Sequence, residues 1–312
     1  MTGGLTSYPR SDGDPPSGPD LQRLDAAIHR IETAPPFSPA LEGDISAALS
    51  LLARLAASAT TPAGHALVAA RARRLFALLF RRRRELADAL AYQEAMRLGA
   101  ASWKALHPIA ASPLADGLAN ARRDHAGATA ARDLPARRAA AERIGVLHAV
   151  HEMSALFGAD LLESGDVLPP ATDPGGGYAA MPGTLICGTS YNANLVFLRE
   201  IGGERIVLVG EAKGGSAAVG SVRVTRALRA ALGGGALPAR IRQDEYLYAR
   251  RCGVYMARAV RPGHAMAERR AIGRAILAAH RDRALAFVFA TARLSGEGGD
   301  PAIDSNGRLV HP

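Results

Sequence analysis

Lysine is nearly missing from this chain. Of its 38 lysine and arginine residues, only Lys104 and Lys213 are lysine. Where a bare positive charge suffices, arginine is the default here, so each lysine marks a place worth inspecting. Lysine carries a compact charge whose pKa falls readily on burial, whereas guanidinium stays protonated. Cysteine is equally scarce. Cys187 and Cys252 stand far apart without metal-ligand spacing, which argues against a disulfide scaffold or a zinc site. Aromatic residues make up only 5% of the chain, and Trp103 is the one tryptophan, read as a core anchor. No apolar run approaches the roughly 18 residues that a membrane helix needs. The N-terminal stretch MTGGLTSYPRSDGDPPSGPD lacks the basic-then-apolar layout of a signal peptide. The expectation is a protein with no membrane partner, cytoplasmic or secreted by a route without a cleaved signal peptide.

What is present suits one large or two ordinary domains: 312 residues with 48% hydrophobic content. Alanine is abundant and favours closely packed helices. The net charge of +9 permits an anionic partner without requiring one. From Leu51 to Arg84 there are eight arginines and no acid, ending in Arg81, Arg82, Arg83 and Arg84. Such a run can form a phosphate-contacting surface. The reading favoured here is a solvated helix face whose aliphatic stems cover apolar neighbours.

Residues 1–20 read as a disordered polar tail and 21–140 as a helical region. In DISAALSLLARLAA the apolar residues recur every three to four positions, with Asp44 as the cap. One long helix is expected through HALVAARARRLFALLFRRRRELADALAYQEAMRLG, with Gly99 as its C-cap. His107, Pro108 and Pro113 break the pattern. Helix resumes near Pro135 and runs to a stop at Gly158. On it, His148 and His151 lack a full HExxH pattern and read as surface or partly packed residues. VLPPATDPGGGYAAMPG is a loop, and its glycines precede no Lys-Ser or Lys-Thr, so it is no phosphate loop. Ser190 lacks a nucleophile elbow. Three β-rich runs follow, TLICGTS, NLVFLRE and RIVLVGEAK, the last two joined by the turn-like IGGE. A helix is expected from near Gln243, another over HAMAERRAIGRAILAAHRD, and a last buried strand at ALAFVFATAR. Helix, three strands, helices and strand make an α/β (α+β) sheet with helical cover over residues 141–312.

In IVLVGEAKGG the alternation of a strand puts Glu211 and Lys213 on one face and Ala212 on the other. Gly214 and Gly215 let the backbone turn or a ligand approach. A carboxylate and an ammonium together at a strand end suit a divalent metal beside an anionic substrate. A salt bridge at the sheet edge is the plainer alternative.

VGEAKGG, the Arg242-Gln243 pair followed by Glu245-Tyr246-Leu247, and the helix–βββ–helix order resemble the PD-(D/E)XK, restriction-endonuclease-like nuclease superfamily. The chain is similar in particular to nuclease domains of bacterial polymorphic toxins, over roughly residues 141–260. The resemblance implies metal-dependent phosphodiester hydrolysis with Mg²⁺ or Mn²⁺. It implies nucleic acid, DNA or RNA, as substrate, and an immunity protein as a further partner. It assigns Glu211, Asn194 and the Ala212 carbonyl to the metal and Lys213 to the attacking water. Gln243 and Tyr246 would steady the site or hold the substrate backbone. Asn194 stands where the family has aspartate, and Val146 where its helix has glutamate. Glu142, one turn earlier, is the substitute, with Asp244 as another source of a carboxylate. A nuclease fold that only binds, and a helical adaptor with an incidental Glu-x-Lys, are the two rival readings.

Overall fold

A computed structural model describes residues 18–83, 85–86, 90–157, 184–186, 195–201, 204–214, 219–233, 237–258, 264–282, 284–295 and 302–310. The loop at 158–183, Ser190, Asn194 and Gly215 lie outside them, as do Cys187, Arg84 and most of the polar tail. The chain divides into two compact units, Met1–Leu106 and His107–Pro312. The boundary expected at 140/141 instead falls within a continuous helix of the second unit.

The first unit is helical. Its described helices are α1 (Gly18–Thr33), α2 (Leu41–Ser58), α3 (Pro62–Arg81) and α4 (Leu90–Leu106). Thr61 caps α3, its hydroxyl accepting from the Gly64 N–H at 3.1 Å, and Pro62 supplies the preset φ of a first helical residue. Asp44 is no cap. It lies inside the first turn of α2 and accepts from Arg30 Nε at 2.7 Å. The long helix expected over 65–99 is two helices, α3 and α4. They pair antiparallel, with Phe80 meeting Tyr92 edge-on at 6.0 Å and Gly99 packed on Ala72. Gly99 is therefore a close-approach residue: a Cβ there would lie 2.7 Å from that of Ala72. Trp103 is buried in α4.

The acid-free arginine run finds its acids in α1 and in Glu85. Arg71 grips Asp25 with two hydrogen bonds of 3.1 and 2.8 Å, and Arg74 reaches Glu32 at 2.9 Å. Arg82 is buried. It donates to the Ile31 and Pro35 carbonyls and to Glu85, which accepts from the Phe37 N–H. Arg83 lies over the Phe80 ring at 4.4 Å. These arginines hold helix ends together as well as covering apolar surface.

The second unit opens with a short 3₁₀ turn, α5 (Ala115–Ala130) and α6 (Leu134–Phe157). Sequence periodicity did not anticipate α5. The sheet strands are β1 (Thr184–Ile186), β2 (Leu195–Ile201), β3 (Glu204–Gly214), β6 (Leu285–Ser295) and β7 (Ala302–Val310). Among the described residues they order β1-β2-β3-β6-β7. β3 and β6 are parallel and the other neighbours antiparallel. Between β3 and β6 come a two-stranded ribbon, β4 (Ser221–Arg223) with β5 (Arg240–Arg242), and three helices, α7 (Arg226–Ala231), α8 (Tyr246–Ala257) and α9 (His264–Arg281). The ribbon and β7 are additions to the expected order. The α+β class with a mixed sheet holds.

α6 packs on β3, β6 and β7, and α5 packs on α6, so every residue from Ile144 to Phe157 is buried. His148 and His151 are therefore interior, not surface, residues; His151 Nε2 lies 2.8 Å from the His107 carbonyl. The second core joins Val207, Val209 and Phe287 to Tyr248, Cys252 and Ile276. α6 reaches β3 through two glycines. A Cβ on Gly145 would sit 2.6 Å from the Gly214 nitrogen and 2.8 Å from its Cα, and one on Gly214 would collide with the Ala141 carbonyl. Alanine for glycine inside a helix ordinarily stabilises by about 1 kcal/mol. Gly145→Ala is expected to reverse that sign and destabilise by about 1–3 kcal/mol, because both obstructing atoms are backbone. Gly117→Ala in α5, which meets only Leu147 methyls at 3.7 Å, is the control that stabilises. Urea unfolding of both variants measures the contrast.

Candidate functional site

Strand alternation assembles the site. Val207 and Val209 face the α8–α9 core, and Glu211 and Lys213 continue on that face, while Gly214 meets α6. β3 is flanked by β2 and β6, and Glu211 pairs with Phe289 across the parallel ladder. The Glu211 carboxylate is consequently only 3% exposed. Lys213, 20% exposed, brings its Nζ to 3.1 Å from Glu211 Oε1.

Gln243 completes this side. Its amide Nε2 donates to Glu211 Oε1 at 3.0 Å and to the Tyr248 hydroxyl at 3.2 Å. Its Oε1 accepts from the Gly220 N–H at 2.9 Å. Both amide hydrogens and the oxygen are thus used, which fixes which end of the amide faces Glu211. Gln243 lies on the turn between β5 and α8, not on a helix; α8 begins at Tyr246. The phenol beside it is Tyr248. Tyr246, the expected partner, faces His280, with its hydroxyl 3.4 Å from Nδ1.

The second oxygen, Glu211 Oε2, is buried without a hydrogen-bond partner among the described residues. Burial pushes the carboxyl pKa up to about 7, against the opposing pull of Lys213 and Arg251, and the charge of Glu142 pushes it the same way as burial. Glu142 itself is exposed on α6, next to Ala141, whose carbonyl abuts Gly214. Val146 is a buried core residue. Asp244 is held by Arg242 through bonds of 2.9 and 3.0 Å. Ala212 lies between the two charged residues on the opposite face. Asn194 is outside the described residues; it directly precedes Leu195, which pairs with Gly210, the neighbour of Glu211. No group of three His, Cys, Asp or Glu side chains set to hold a metal occurs among the described residues.

Sequence reasoning missed the floor of the site. Arg251 is 1% exposed, its guanidinium 5.3 Å from the Tyr248 ring centroid and 4.7 Å from that of Tyr255. Beside it, burial and the Glu211 charge push the Cys252 thiol up to about 12, so it is a neutral thiol near pH 7. The signal was present: Tyr248, Arg251, Cys252 and Tyr255 share the i, i+3, i+4, i+7 stripe of one helix face, and an arginine on such a stripe is conspicuous.

A carboxyl whose folded pKa is raised favours the folded state below its unfolded pKa, 4.5, and loses that contribution as pH rises through about 7. Glu211→Gln removes the titration. Its stability relative to the native protein should therefore grow by about 3 kcal/mol between pH 4.5 and pH 8 without divalent cations. Urea unfolding at the two pH values measures it. Comparison with family models, with curated proteins and with solved structures gives no match, so the chemistry of this site is read from its own atoms.

Proposed function

We propose that the second unit hydrolyses phosphodiester bonds of nucleic acid with the help of a divalent cation, Mg²⁺ or Mn²⁺, as in restriction-endonuclease-like nucleases. One observation carries the reading: a buried carboxylate with one oxygen held by an ammonium and an amide, and the other without a hydrogen-bond partner among the described residues. The residues fit a cation. Burial has driven Glu211 toward protonation, and a cation in the proton's place relieves that cost at neutral pH. Glu211 and the Ala212 carbonyl would hold it, with Glu142 or Asn194 contributing further oxygens. A Mg²⁺ site needs only one or two carboxylates plus substrate phosphate.

When bound, the cation supplies Lewis acidity at the scissile phosphate. The chain supplies the rest. Lys213 offsets charge on the phosphate oxygens and orients the attacking water. Gln243 keeps Glu211 Oε1 occupied, so that Oε2 is the oxygen left for the cation. Arg251 restrains the rise in the Glu211 pKa from below. The order α6, β1–β3, helices, β6, with Glu-x-Lys ending the strand that runs parallel to β6, supports the superfamily reading.

Plasmid DNA or structured RNA incubated with the protein and Mg²⁺ or Mn²⁺ should be cut, and chelator should abolish cutting. Lys213→Ala should lower the rate by about 10²–10³-fold. Gly220→Ala should lower it less, since its Cβ would collide with Gln243 Oε1 and loosen that amide from Glu211. Circular dichroism checks that each variant is folded. Binding without cutting would move the assignment to a nucleic-acid-binding module; neither binding nor cutting would leave an adaptor.

A further inference from the structure

We infer that the β4–β5 ribbon is the arm that grips the phosphate backbone of the nucleic acid, an inference resting on the function proposed above. From Ala212 to Gln243 the chain has no acidic residue and six cations. The ribbon sorts them by side. Val222 and Ile241 pair with each other and turn to the α8–α9 core, where Ile241 is fully buried. The period of two then puts Ser221, Arg223, Arg240 and Arg242 on the outer face. All three arginines are exposed.

Their partners differ. Arg242 is neutralised by Asp244. Arg223 and Arg240 are directly opposite across the ladder, and neither meets a carboxylate among the described residues. Like charges facing each other across a pair of strands are destabilising, so setting these two charges opposite each other costs the ribbon some stability. Arg240 is also oriented: its Nε donates to Ser221 Oγ at 2.8 Å and its Nη2 to the Ser221 carbonyl at 3.1 Å. A preset guanidinium beside an unneutralised one matches the charge and fork geometry of a phosphate.

The ribbon is wired to the site. The Gln243 N–H donates to the Gly220 carbonyl, and the Gly220 N–H to Gln243 Oε1, each at 2.9 Å, closing the base of the ribbon on the amide that holds Glu211. Arg240 is three residues from Gln243, about 10 Å along an extended strand. A chain of phosphates lying on Arg223 and Arg240 would run toward the base of the ribbon, where Gln243 reaches Glu211. Contacts of this kind carry no sequence information and position the backbone.

The test is the salt dependence of binding to a short fluorescein-labelled DNA duplex and to an RNA duplex of the same sequence, in chelator so that nothing is cut. Each phosphate contact contributes about 0.9 to the slope of log K against log salt on duplex DNA. Arg223→Ala/Arg240→Ala should flatten that slope by nearly two while thermal unfolding shows no loss of stability. Arg223→Lys/Arg240→Lys should keep most of it. The equal-charge control Arg73→Ala/Arg81→Ala, exposed on α3, should leave it unchanged. An unchanged slope in the ribbon variant overturns the inference, as does a slope lost only in the α3 variant or failure of the native protein to bind either duplex. Failure here and failure of the nuclease reading are separable. A flattened slope in a protein that never cuts upholds the ribbon and removes the hydrolase; cutting with an unchanged slope does the reverse.

Discussion

Burying one carboxylate at the end of the central strand sets the terms for the whole second unit. Taking an ion out of water is costly unless it is paired, hydrogen-bonded or neutralised. Lys213 and Gln243 both act on Oε1 of Glu211, and Oε2 has no such help among the described residues. The remaining cost appears as a carboxyl that holds its proton up to about pH 7. A residue kept at that cost is of little use to the fold, whose neighbouring core of Val209, Phe287 and Tyr248 would accept an apolar side chain. It is well suited to a cation.

The surrounding architecture serves the position of that carboxylate. Gly214 and Gly145 remove the two side chains that would hold α6 off the strand, which brings Glu142 close enough to act on Glu211. On the opposite face, Gly220 leaves room for the Gln243 amide, whose donors and acceptor are all committed. The helices α8 and α9 belong to the crossover from β3 to parallel β6, and α8 carries the buried Arg251 beside the site. The first unit uses its arginines for another purpose: Arg82 and Arg71 tie helices together through α1 and the loop after it.

Much of the site was legible because it is local. The pairing of Glu211 with Lys213 follows from the period of two within a single strand, and β2, β3 and β6 announce themselves by short apolar runs, α8 and α9 by proline-free stretches on either side of Pro262. The rest depends on chain segments distant in sequence. Nothing near Gln243 says that its amide turns back to Gly220, or that Tyr248 and not Tyr246 meets it. α5 is too polar and too alanine-rich for its periodicity to stand out, and β4 and β5 are three residues each, below what alternation can reveal. The α3–α4 turn was hidden because both flanks are strong helix formers, and Gly99 was misread because its use, contact with Ala72, is tertiary. The boundary expected at 140/141 kept most of α6 with the sheet but left out its first turns and all of α5, which pack with it in the second unit.

Calorimetric titration of the intact protein with Mn²⁺ near pH 7, in buffers of different ionisation enthalpy, tests the central claim most directly. The account predicts one site per chain whose occupation releases protons, since the cation displaces the proton of Glu211, and the loss of both binding and proton release in Glu211→Gln. Binding that is absent, or that is equal in the two proteins, would contradict it.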